Sequence, residues 1–157
     1  MSTYLIVGNR TLPSELLARA IEERLPGATR FYVVVPLTPI VHALTWEEGE
    51  SIRAAETRLN GFLADLRSRG AVADGEVGDN DPVLAMQDVL RRMSADEILL
   101  STLPPGRSRW LGMDVPSRLR AATKIPVTVL TDTSAAAAVQ PERLAPSAAR
   151  PDQASSP

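Results

Sequence analysis

The sequence predicts an α/β fold: a three-layer, doubly wound, five-stranded parallel sheet of the Rossmann-like type with strand order 3-2-1-4-5. Two observations predict it. Short apolar runs alternate with helix-period stretches along most of the chain, and such alternation builds parallel strands joined by right-handed helical crossovers. The runs are also continuously apolar, as in YLIVG, which suits strands covered on both faces.

The first strand is YLIVG, residues 4–8, closed by a glycine. A helix follows in LPSELLARAIEERLPG, where Leu16, Leu17, Ala20, Ile21 and Leu25 recur at helical spacing, Pro13 suits a first-turn position and Pro26-Gly27 stops the run. TRFYVVVPL is too rich in β-branched and aromatic residues for a comfortable helix and reads as the second strand, ended by Pro36. TPIVHAL is expected to be a loop, and Thr45 with Glu48 has the spacing of a capping box. A helix from about Trp46 to Arg69 buries Ile52, Ala55, Leu59, Phe62, Leu63 and Leu66, and Gly70 ends it.

AVADGEVG is a weak strand interrupted by Gly75, better placed at a sheet edge than at its centre. Asp81 and Pro82 read as N-cap and first residue of a helix whose Val83, Met86, Val89, Leu90 and Met93 share a face. EILLST is the fourth strand, Asp114 is expected to cap VPSRLRAAT, and IPVTVLTD supplies the fifth strand. Residues 1–132 are therefore read as one domain. Residues 133–157, built from Ala, Pro, Ser and scattered charges, are expected to be a flexible tail.

Composition excludes several classes. With 157 residues, 44% of them apolar, one core of useful size is expected. Seventeen basic against nineteen acidic side chains, with no basic block, argue against nucleic acid as a partner. The absence of cysteine removes disulfides, thiolate nucleophiles and cysteine-ligated zinc. MSTYLIVGNR lacks a basic n-region, and its apolar run is too short for a signal sequence or a membrane span. A cytoplasmic protein with no membrane partner is the expectation.

In a doubly wound sheet, ligands sit beyond the carboxyl ends of the strands where the strand order reverses. If the order is 3-2-1-4-5, that point lies between the first and fourth strands, with Gly8, Asn9 and Arg10 on one side and Ser101 to Gly106 on the other. Gly106, Arg107, Ser108 and Arg109 offer a flexible point, two cations and a hydroxyl, parts suited to an anion. Alternatively the arginines stay solvated or pair with Asp114 and neighbouring acids. His42 is the single histidine and has no acid near it in sequence, so a structural or exposed role fits it better than catalysis. Asp79 and Asp81 stand two apart, a spacing open to a hard cation but explained more simply by capping. Ser101 and Ser108 lack a base partner, and Trp110 reads first as a loop anchor.

The order of elements, Gly78-Asp79 before a capped helix, the DEILL strand, the glycine-arginine-serine loop and the closing IPVTVL together resemble the universal stress protein family over roughly residues 3–132. The resemblance implies an α/β domain that dimerises through its last strand and, in many members, binds ATP with a loop patterned Gly-x2-Gly-x9-Gly-Ser/Thr. Here the pattern is altered. Counted from the strand, the first glycine falls on Ser101 and the second on Pro104; counted back from the closing strand, the Gly-Ser pair falls on Met113-Asp114. Pro104 and Pro105 offer no amide, and Asp114 brings a negative charge toward a phosphate. The family's acidic residue after the first strand, which helps to hold the nucleoside, corresponds to Asn9.

The candidate nucleotide- or anion-binding residues are thus Asn9, Val35, Ser101, Thr102, Gly106, Arg107, Ser108, Arg109 and Asp114. The expected function is a non-enzymatic, universal-stress-protein-like module that acts in stress response by interaction, with nucleotide binding weakened or lost. The alternative is a regulatory protein that holds ATP, another adenine nucleotide or a different phosphate in the crevice. No base, nucleophile or metal set is identifiable for a hydrolase. In PVTVLTD, apolar and polar-capable residues alternate on what would be an open edge, so Val127, Thr128, Val129 and Leu130 are the expected homodimer interface.

Overall fold

The computed structural model describes residues 2–37, 41–42, 45–46, 48–104 and 109–132. Five parallel strands form one sheet: β1 (Ser2–Val7), β2 (Ala28–Pro36), β5 (Val72–Gly78), β6 (Glu97–Thr102) and β7 (Val127–Thr131), in the order β5-β2-β1-β6-β7. This is the expected 3-2-1-4-5 arrangement once a small separate hairpin is set aside. In that hairpin β3 (Val41–His42) pairs antiparallel with β4 (Thr45–Trp46). The stretch expected to be a loop therefore carries β3, and Thr45 and Trp46, expected to cap and open the long helix, form β4 instead, for which valine, threonine and tryptophan are suited.

Alternate residues of the central strands feed two cores. Ile6, Val33 and Val35 point to one face with Leu99, while Leu5, Val7 and Val34 point to the other with Ile98 and Leu100. All nine are fully buried. The first face is covered by α1 (Glu15–Arg24) and α2 (Glu48–Ser68), through Leu17, Ile21, Leu59, Leu63 and Leu66. The second is covered by α3 (Pro82–Leu90) and α5 (Val115–Ala122), through Val83, Met86, Val89, Val115 and Leu119. The short α4 (Arg109–Gly112) lies between β6 and α5, and its Trp110 packs against the second core, as an anchor does.

Helix ends follow local chemistry, with three departures from expectation. Ser14 is the N-cap of α1: its Oγ accepts from Leu17 N at 3.2 Å, so Pro13 stands before the cap and not in the first turn. Glu48 is the first residue of α2 and Thr45 belongs to the hairpin, so the two do not form a capping box. Asp114 holds the N-cap position of α5 in a left-handed conformation, φ 53° and ψ 41°, and its side chain makes no capping bond. Capping needs an extended residue to bring the carboxylate onto the amides ahead, and aspartate is one of the few residues that tolerate this left-handed turn. Leu16 was grouped with the buried stripe of α1 but is 39% exposed, because it lies at the rim of that face.

Asp81 does cap α3. Its Oδ1 accepts from Val83 N at 2.9 Å, and Pro82 occupies the first turn, where no amide is required. Its other oxygen takes Arg118 Nη2 at 2.8 Å, which ties α3 to α5. Burial opposes the charge on Asp81, but the Arg118 guanidinium and the Val83 amide outweigh it and hold the carboxyl below its ordinary range. Gly75 in the edge strand β5 answers to packing: a Cβ there would lie 2.4 Å from Val33 O and 2.8 Å from Leu59 Cδ1. Only glycine lets α2 press this closely on the sheet.

Candidate functional site

The strand order reverses beside β1, and its carboxyl end with that of β6 forms the switch point. Gly8 follows β1 directly. A Cβ on Gly8 would sit 3.2 Å from Leu12 Cδ2 and 3.3 Å from Ser101 Cβ, so the turn leaving β1 lies tightly against the end of β6. Ser101 fastens the two: its Oγ donates to Thr11 Oγ1 at 2.7 Å, with Thr11 O at 3.4 Å. Ser101 and Thr11 are both buried. The Ser101 hydroxyl is thus engaged in holding the β1–α1 turn.

Asn9 is buried and spans two further elements. Its Nδ2 donates to Pro36 O at 2.8 Å, at the end of β2, and its Oδ1 accepts from Arg58 Nη1 of α2 at 2.7 Å. The amide that stands where the resemblance implies a nucleoside-holding carboxylate is therefore engaged at both its nitrogen and its oxygen. The neutral Asn9 amide does not offset the Arg58 charge.

On the far side, Thr102 closes β6 with its side chain buried, and its Oγ1 has no hydrogen-bond partner among the described residues. Its carbonyl accepts from Asp132 N at 2.9 Å, which brings the buried Asp132 to the carboxyl end of β7. Pro104 is buried and has no amide to offer a phosphate. Asp114 is exposed at the start of α5.

The expected site residues thus fall into three groups. Asn9, Ser101 and Thr102 come together at the switch point. Val35 is fully exposed to neither solvent nor crevice: it is buried in the core with Val33 and Leu59. Gly106, Arg107 and Ser108 lie outside the described residues, and Arg109 is placed only as the first residue of α4. Of the other candidates, His42 lies in β3, and Asp79 Oδ1 accepts from Asp81 N at 2.9 Å in a turn that leads into the α3 cap. Among the described residues no three His, Asp or Glu side chains gather where they could hold a metal ion.

Thr11, Arg58 and Asp132 escaped the sequence reading. Arg58 lies 49 residues from the side chain it bonds, and nothing in its own helix distinguishes it from other exposed arginines. Thr11 offers only proximity to Asn9 as a signal. Asp132 closes the last strand, but its burial depends on the packing of β7 against β6.

Val127, Thr128, Val129 and Leu130 lie on β7, the sheet's outer strand beyond β6, and each is half-buried. Thr128 Oγ1 donates to Glu97 Oε1 at 2.7 Å. Among the described residues no strand pairs with the outer side of β7, and no helix is long and apolar enough to cross a membrane.

Neither a family model nor a curated protein matches the sequence. Solved structures do match. A universal stress protein family member from Burkholderia pseudomallei superposes with a TM-score of 0.62 at 16% identity, covering 82% of this chain and 95% of that one. A universal stress protein from Archaeoglobus fulgidus gives 0.59 at 16% identity, covering 82% and 93%. A universal stress protein family protein from Arabidopsis thaliana, solved with AMP bound, gives 0.55 at 13% identity, covering 87% and 95%. The chain has the universal stress protein fold.

Proposed function

We propose that this chain is a non-enzymatic interaction module of the universal stress type, acting in the cytoplasm as a homodimer joined through β7, with a weakened grip on nucleotide. The observation that carries the reading is the engagement of Asn9. A nucleoside entering the crevice would have to displace Arg58 from Oδ1 or Pro36 O from Nδ2, and breaking a buried hydrogen bond without replacing it costs about 1–3 kcal/mol. Pro104 and the negative charge of Asp114 act in the same direction. The outer side of β7, which pairs with no strand among the described residues, supports pairing with a second copy across a two-fold axis.

A second reading, an adenine-nucleotide-responsive regulator, draws on the AMP held by the Arabidopsis neighbour and on the crevice lying at the switch point. Calorimetric titration with ATP and with AMP, each with and without magnesium, separates the two. The first reading expects no saturable heat from the wild type and a gain of nucleotide affinity in Arg58→Ala, which frees Asn9. Micromolar binding by the wild type would establish the second. Sedimentation should give a dimer mass at micromolar concentration, and a monomer that persists at high concentration would remove the β7 interface.

A further inference from the structure

A groove of about 520 Å³ runs between α1 and α2, on the face of the sheet that carries the first core. Its volume lies in the range of small-molecule sites, roughly 300–1,000 Å³. The walls are apolar along the middle, where Leu12, Ala18, Ile21 and Phe62 contribute. The two ends differ in charge. At the end nearest the β1–α1 turn stand Arg10 and Arg58, the first with no acidic partner among the described residues and the second bonded to the neutral Asn9 amide. At the other end Arg69 is neutralised by Asp65 at 3.1 Å and Glu22 at 3.2 Å. The groove therefore has one cationic end, an apolar body and one end where two carboxylates outnumber a single arginine.

Gly61 is the second, independent observation. It lies in the interior of α2 and lines the groove, yet a Cβ there would meet nothing within 4 Å. Glycine lowers helix stability at an interior position, and no neighbour requires it. Gly61 thus lines the groove without a side chain of its own.

We infer that the α1–α2 groove binds an amphipathic organic anion, with its acidic head on Arg10 and Arg58 and its hydrocarbon body along Gly61 and Phe62. The line along α2 from Arg58 to Arg69 is about 16 Å at 1.5 Å per residue, long enough for an extended acyl chain of about ten carbons. The head group is set by the two guanidinium groups, which bind carboxylate or phosphate oxygens by charge-assisted hydrogen bonds. The groove shares Arg58 with the Asn9 side of the nucleotide crevice, but decanoate carries no nucleoside, so its binding is read without reference to ATP.

The test is calorimetric titration of the full chain with decanoate, paired with amide chemical-shift mapping. Saturable sub-millimolar binding is expected, with shifts on α1 and α2. Arg10→Gln should weaken it about fivefold, as loss of one charge-assisted contact implies. Gly61→Leu should abolish it by filling the groove while leaving the fold at least as stable, since leucine is the better helix former; thermal melting checks this. Decan-1-ol should bind at least about tenfold more weakly, because it lacks the charge. The inference is overturned by absence of saturable decanoate binding, by shifts confined to residues 101–104, by Gly61→Leu binding as well as the wild type, or by decan-1-ol matching decanoate.

Discussion

Replacing Glu97 by Gln tests how the amino end of the sheet is tied together. Glu97 opens β6 and accepts three bonds: from Arg24 Nε at 2.9 Å, from Arg24 Nη2 at 2.8 Å and from Thr128 Oγ1 at 2.7 Å. These join α1, β6 and β7 through one carboxylate. The two partners of the ion pair are 19% and 20% exposed, so the pair is worth more than the ~0–1 kcal/mol of a surface bridge and less than the ~3–5 kcal/mol lost on breaking a buried one. Glutamine would keep one acceptor oxygen, lose the charge and turn an amide donor toward a guanidinium donor. A destabilisation of about 2 kcal/mol is expected.

The pH dependence supplies the check. The Arg24 guanidinium, opposed by burial and helped by the Thr128 hydroxyl, holds the Glu97 carboxyl below its ordinary range, and the same pairing raises Arg24. A depressed carboxyl contributes stability that is fully present above its unfolded value, near 4.3, and is lost as pH falls through the lower folded value. In urea titrations the variant's midpoint should fall by about 1 M at pH 7, and the gap should close as pH drops below about 4. A difference under about 0.5 kcal/mol at pH 7, or a gap that stays constant into strong acid, would refute the reasoning.

Two further substitutions separate glycines of opposite meaning. Gly75→Ala should cost at least about 2 kcal/mol, because its methyl would press on the Val33 carbonyl and Leu59, measured as a lowered urea midpoint. Gly61→Ala should instead stabilise by about 0.5–1 kcal/mol, read as a raised melting temperature, because nothing lies within 4 Å of the added methyl.

How much of this was legible beforehand follows from where each interaction sits along the chain. The core strands carry their own label, since a short unbroken apolar run such as Leu5–Val7, closed by Gly8, suits a strand covered on both faces. Asp81-Pro82 announces its helix because cap and first turn are adjacent residues. Asp114 looked equivalent and is not: its backbone is left-handed, which residue type alone does not reveal. Gly75 read as a weakness of an edge strand, whereas in the fold it is the contact that lets α2 approach the sheet.

The candidate site divides in the same way. Its location follows from the alternation of elements taken together with the strand order 3-2-1-4-5, since that order puts the switch point beside β1. Its chemistry did not. Arg58 closing on Asn9, Ser101 clasping Thr11 across 90 residues, and the groove lined by Gly61 all depend on the register and spacing of packed elements. Periodicity within a helix fixes which face is apolar; it leaves undetermined which polar side chain on the next element that face will meet. The sequence by itself carried the alternation that builds the parallel sheet and, with the order 3-2-1-4-5, the candidate switch point. Only the tertiary structure decided which side chains at that end are already engaged, because long-range hydrogen bonds are made by packing and not by spacing.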